Sequence, residues 1–139
     1  MITMEKQAEL PILVETIKND AEHGEAHAQY SLGLLFAGGK GVAQAYSLAA
    51  QWFTKAAQQG NTLAQCMLGL MYDYGLGIMQ DVVQADTWYR IAGASGSLGA
   101  LAARSVVEKD MAPEQIDAAQ TFARAWLECH PNSQSQSMY

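Results

Sequence analysis

The chain repeats itself. Residues 28–63, AQYSLGLLFAGGKGVAQAYSLAAQWFTKAAQQGNTL, lie without a gap on residues 64–99, AQCMLGLMYDYGLGIMQDVVQADTWYRIAGASGSLG, at a shift of 36, with 12 of 36 positions identical. Chance at ordinary residue usage gives about 2 or 3. Several mismatches are conservative, among them Phe36/Tyr72, Val42/Ile78 and Phe53/Tyr89. A period of this length means one supersecondary unit stacked on its own copy, because a single unit buries too little apolar surface to stand alone.

Each unit reads as helix, Gly-rich turn, helix. Ala28, Leu32 and Phe36 fall at i, i+4 and i+8, one stripe of a first helix. Ala45, Ala49, Trp52, Phe53 and Ala56 form the stripe of a second, whose other side carries Ser47, Gln51, Thr54, Lys55 and Gln58 for solvent. The repeated positions expected to form the structural core are Ala28/Ala64, Leu32/Leu68, Gly33/Gly69, Gly39/Gly75, Gly41/Gly77, Ala49/Ala85, Trp52/Trp88 and Ala56/Ala92. Small residues let paired helices approach closely, and the tryptophan rings are expected to fill the remaining core space. Gly60 and Gly96 stand where a second helix should end in a left-handed residue.

The period extends both ways. DAEHGEAHAQ at 20–29 aligns with AAQQGNTLAQ at 56–65, so residues 8–23 read as a lone second-type helix. Leu10, Leu13, Ile17 and Ala21 would pack on the first unit, with Pro11 in the first turn, where a missing N–H costs little. Downstream, residues 100–129 read as a degenerate capping unit. Its first helix runs through about Lys109, with Arg104 and Ser105 in place of Leu68 and Gly69. Its last helix starts near Pro113 and carries Ile116, Ala119, Ala123 and Trp126 on its apolar side. The polar tail 131–139 reads as disordered. The expectation is one all-α domain over 1–130, about seven helices in antiparallel pairs.

Composition removes several function classes. The net charge is −6, with 8 Lys and Arg against 14 Asp and Glu, so no basic face for nucleic acid or an acidic membrane is expected. No apolar run approaches the ~20 residues of a membrane span. The N-terminus lacks a basic region followed by an apolar core, so it does not read as a secretory signal. Cys66 and Cys129 fit neither a zinc pattern nor a disulfide framework. The cytoplasm is the default compartment, or the periplasm if a signal was removed before Met1.

Both units share Ala, then Leu-Gly, an aromatic residue, G-x-G followed by Val or Ile, Ala, Trp followed by an aromatic residue, Ala and a closing Gly. This pattern resembles the Sel1-like repeat family, relatives of the tetratricopeptide repeats, over roughly residues 8–129. The resemblance implies a right-handed α/α superhelix that serves as a binding scaffold, with partner proteins or peptides on a curved surface. Two features depart from the family pattern. The acid after the turn is present as Asp81 but is Ala45 in the first unit, and Ala112 replaces a capping hydroxyl before Pro113. The disulfide-linked branch of the family carries cysteine pairs that this sequence lacks, which argues against any activity assigned to that branch.

The motifs of the kind that carries catalysis are weak. GGKGV at 38–42 lacks the spacing and the Ser or Thr of a phosphate loop, and Leu76 replaces Lys40 in its copy. HGEAH at 23–27 has its acid misplaced for a metal-binding pair and a glycine between the histidines. No catalytic residue, cofactor or metal is expected. The functional hint is apolar. Away from the core stripe, the first helices carry His27, Tyr30, Ser31 and Leu34, then Leu63, Cys66, Met67, Leu70, Asp73 and Tyr74. This composition suits an adaptable peptide groove, and equally suits first helices buried between their neighbours. The expected function is a non-enzymatic interaction scaffold holding a protein or peptide, itself a monomer or weak homo-oligomer. The alternatives are a hydrolase of cell-wall peptides or β-lactams, and a self-associating structural module.

Overall fold

The computed structural model describes residues 4–131, with side chains described from Glu9 onward. Among the described residues there are seven helices and no strand: α1 Met4–Glu22, α2 Ala26–Gly38, α3 Tyr46–Gln58, α4 Thr62–Tyr74, α5 Val82–Ala94, α6 Leu98–Glu108 and α7 Pro113–Cys129. Sequential helices pack on one another from α1 to α6, and α7 packs on α5. The fold is an all-α solenoid. The tail expected to be disordered lies, beyond Pro131, outside the described residues.

Within a unit, two helices approach through a glycine and an aromatic ring. A Cβ on Gly33 would stand 2.6 Å from the Phe53 ring, and one on Gly69 would stand 2.6 Å from the Tyr89 ring. Phe53 and Tyr89 are completely buried, as are Ala49, Ala56, Ala85 and Ala92. Ala28, Ala64, Leu32 and Leu68 are buried as well, so small residues alternate with large ones across each helix pair.

Between units, the turn does the stacking. Gly41 and Gly77 take φ of 74° and 69°, left-handed values that favour glycine. A Cβ on Gly41 would strike Val14 of α1, and one on Gly77 would strike the Tyr46 carbonyl of α3. Each turn therefore rests on the second helix of the preceding unit. Two glutamine pairs repeat with the period and tie the same joints. Gln29 Nε2 donates to the Ala21 carbonyl and Gln65 Nε2 to the Ala57 carbonyl, both at 3.2 Å. Gln44 Nε2 donates to the Ala37 carbonyl at 2.9 Å and Gln80 Nε2 to the Asp73 carbonyl at 2.7 Å, closing each turn on itself.

Helix starts differ between copies. Asn61 Oδ1 accepts from Ala64 N at 2.8 Å and Ser97 Oγ from Ala100 N at 3.2 Å. Asp81 Oδ1 accepts from Val83 N and Gln84 N, whereas Ala45 has the same extended backbone and no oxygen to offer. At α7, Gln115 Oε1 accepts from Ala112 N at 2.9 Å, so half of the reciprocal cap survives without the hydroxyl.

Five expectations are corrected. The first helix begins at Met4 rather than at residue 8, which puts Pro11 inside it rather than in its first turn. Leu10 and Leu13 are exposed, and Val14 joins Ile17 and Ala21 on the buried side, because Val14 is the residue that meets the turn at Gly41.

The turn glycines are not core. Gly39, Gly41, Gly75 and Gly77 are all exposed, unlike Gly33 and Gly69, which are buried between helices. The reason is their place beyond the helix end, where the chain reverses at the surface. Gly39 and Gly75 cap α2 and α4, their N–H groups donating to the Leu35 and Met71 carbonyls. They repeat because the cap needs them, not because a neighbour covers them.

The tryptophans are not equivalent. Trp88 is buried, edge-on to Trp126 at 5.9 Å, while Trp52 is half-buried with Lys55 Nζ 4.4 Å above its ring. The ring that covers Trp88 belongs to α7, which packs on α5. Finally, α7 packs on α5 rather than on α6, the helix that precedes it. Their connector is 109–112, against the longer glycine turns 39–45 and 75–81. Arg104 and Ser105 stand where Leu-Gly would receive an aromatic ring. Beyond the corner at Met111 and Ile116, α7 therefore lies along α5.

Candidate protein-interaction face

The ten residues expected to face a partner fall into two sets. His27, Leu34, Leu63 and Tyr74 are exposed, with Leu63 at 58% and Tyr74 at 68%. Tyr30, Ser31, Cys66, Met67, Leu70 and Asp73 are half-buried. Tyr30 lies 5.8 Å from the Phe53 ring, and it shares with Met67 the cluster around α3. Cys66 and Leu70 pack toward Ala100 and Val107 of α6. The α2 and α4 faces are thus partly pinched between neighbours, and the exposed remainder forms their outer edge.

The face continues where the sequence reading stopped. Val106 of α6 is the next copy of Leu34 and Leu70, and it is 63% exposed. It joins Asp73 and Tyr74 around a cavity of about 400 Å³, with Gln80, Val107 and Asp110 on the other walls. The Tyr89 hydroxyl donates to Asp73 Oδ2 at 3.2 Å, which fixes the carboxylate at the cavity wall. Burial, with the Asp73 carboxylate beside it, pushes the Tyr89 hydroxyl above the ordinary tyrosine range. Burial likewise raises the Cys66 thiol against a hydrogen bond with Ser97, so Cys66 is not an activated thiolate. Among the described residues, no group of three His, Cys, Asp or Glu side chains could hold a metal, and no helix is long and apolar enough to cross a membrane.

The profile of the Sel1 repeat matches residues 26–61 and 62–97, more than half of the chain. The chain belongs to the Sel1 repeat family. Two solved structures are similar to this Sel1 repeat chain. One is a protective antigen present in uropathogenic Escherichia coli strains and displaying an SLR fold, 35% identical, with a TM-score of 0.84 over 90% of this chain and 27% of that one. The other is a Sel1 repeat protein from Oxalobacter formigenes, 35% identical, with a TM-score of 0.65 over 67% of this chain and 70% of that one. The chain thus spans about a quarter of the length of the E. coli antigen. No curated protein matches it.

The main polar feature of this Sel1 repeat chain is one the sequence reading missed. Asp86 of α5 is fully buried, where the first unit has Ala50. Arg90 Nε donates to Asp86 Oδ2 at 3.1 Å, Arg90 Nη2 to Glu108 Oε1 at 2.7 Å, and Arg104 Nε to the same Glu108 oxygen at 2.9 Å. Asp86 Oδ1 has no hydrogen-bond partner. Burial outweighs Arg90 and raises the Asp86 carboxyl to about 6. Burial also opposes ionisation of Glu108, but Arg104, the Asp86 carboxyl and the charge of Arg90 together outweigh it and hold that carboxyl below its ordinary value. The available signal was an acid at an alanine position of the stripe, four residues before an arginine.

Proposed function

We propose that this chain is a non-enzymatic protein-interaction scaffold that takes a peptide or helix across the outer edges of α2, α4 and α6. The observation that carries this reading is the set of exposed apolar side chains on first helices: Leu34, Leu63, Tyr74 and Val106. A helix edge that met only water would be polar. The cavity beside Asp73 and Tyr74 offers a depth in which one anchoring side chain of a partner could sit. Its polar groups, Asp73, Tyr74, Gln80 and Asp110, include no nucleophile held by a base, so they support binding rather than covalent chemistry.

The test is a double variant, Leu34→Asp with Val106→Asp. Both sites are exposed, so helical circular dichroism should be unchanged. Proteins captured from lysate by the wild type should be missing from the variant. A capture profile identical for the two folded proteins would overturn the assignment of the face. Sedimentation over a range of concentrations separates a foreign partner from a second copy of the chain.

A further inference from the structure

We propose that the groove between α6 and α7, floored by α5, is a second binding site, one for a peptide carboxylate flanked by an apolar group. It stands apart from the α2–α4–α6 edge, so the two readings fail separately. The groove exists because the third unit has lost its glycine turn and its Leu-Gly step, so α7 lies along α5 and leaves the side of α6 open. Its volume is about 430 Å³.

Its lining is chemically selective. The chain has three arginines, Arg90, Arg104 and Arg124, and all three line this groove. None of the described lysines, Lys18, Lys40, Lys55 and Lys109, does. In a chain of net charge −6, every guanidinium stands around this one cavity, where Asp86 and Glu108 pair with Arg90 and Arg104. Arginine presents several N–H donors in a planar fork that matches a carboxylate, which a lysine does not. Two of the forks are already oriented. Arg90 is fixed by Asp86 and Glu108, and Arg104 by Glu108, through Nε or one Nη, so each retains further N–H donors. Arg124 is exposed, and no carboxylate partner holds it among the described residues. Leu101 and Leu127 supply apolar wall, and Glu128 is the one acid of the lining. A carboxylate next to an aliphatic side chain fits these walls. It could come from a chain terminus or from a Glu or Asp side chain.

Three arginines give three Nε–Hε signals in a nitrogen–proton correlation spectrum, and these report on the site directly. The full chain is titrated with N-acetyl-leucine, which has a free terminal carboxylate, with N-acetyl-leucine amide, and with N-acetyl-glutamate α-amide, which carries only the side-chain carboxylate. The expected result is a saturable shift of the Arg104 and Arg124 signals by at least one carboxylate probe, with Kd of about 1 mM for so small a ligand. The leucine amide should bind at least tenfold more weakly. Whichever carboxylate probe binds more tightly names the source. Arg124→Gln, at an exposed position, should weaken binding about tenfold without changing the circular dichroism. Lys109→Gln should leave binding unchanged. No saturable shift, an equal response to the leucine amide, or full binding by Arg124→Gln would each overturn the proposal.

Discussion

At the scale of single residues, the two copies act as internal controls for one another. Ala45 and Asp81 hold nearly the same extended backbone, with φ of −155° and −153°, yet only Asp81 caps its helix. Ala45→Asp should stabilise the fold by about 1 kcal/mol, and Asp81→Ala should cost about as much. Thermal or urea unfolding checks both, and equal stability of Ala45→Asp and the wild type would remove the argument. The tryptophans give a second contrast. Trp88→Ala should cost about 3–5 kcal/mol, the usual range for emptying a buried aromatic site. Trp52→Ala should cost clearly less, because its ring is half in water. Periodicity alone made Trp52 and Trp88 equal. Their neighbours differ because Trp126 comes from α7, outside the repeated units.

At the scale of elements, the glycine turns set the spacing of the stack. Two contributions to their cost can be separated. Gly24 takes φ of 94°, and a Cβ there would meet nothing within 4 Å. Gly24→Ala should therefore show only the left-handed backbone penalty, about 1 kcal/mol. Gly77→Ala adds a collision with the α3 backbone at Tyr46 and should destabilise by several times as much. If urea midpoints show equal losses for the two variants, the turn does not rest on α3 as described. Lys40→Ala should be neutral, because Lys40 is exposed and its counterpart is Leu76. The turn glycines were legible in sequence because backbone geometry constrains them locally. Their exposure was not, because a cap at the surface and a close approach in the core select the same residue, as Gly75 and Gly69 show. The register of α1 was hidden too, because Leu13 and Val14 are both apolar and only contact with Gly41 selects Val14.

At the scale of the whole molecule, the buried acid ties the last repeat to its cap and gives folding a pH signature. The Asp86 carboxyl is raised from 3.8 to about 6, so the folded chain binds its proton more tightly than the unfolded chain does. Its stabilising contribution is full below pH 3.8 and is lost as pH rises through about 6. Glu108 is lowered from 4.5 and acts oppositely, contributing above that pH and losing its contribution on acidification. The difference in stability between the wild type and Asp86→Asn should fall between about pH 4 and 6, by on the order of 1–3 kcal/mol. Melting curves across that window test this. A difference that is flat with pH would mean that Asp86 titrates normally.

By itself the sequence determined the repeat, the two-helix unit, the glycine turns, most of the alanine stripe and the family. All of these are set by spacing and by steric limits that act within a few residues of each position. Only the tertiary structure decided which apolar side chains of the first helices stay exposed, and that α7 lies along α5. It alone placed Arg90, Arg104 and Arg124 around one groove. Those outcomes depend on which helix lies opposite, and the repeat fixes that neighbour only where another copy follows. After residue 99 none does, so the packing of α6 and α7 follows the short connector and the loss of Leu-Gly rather than the period.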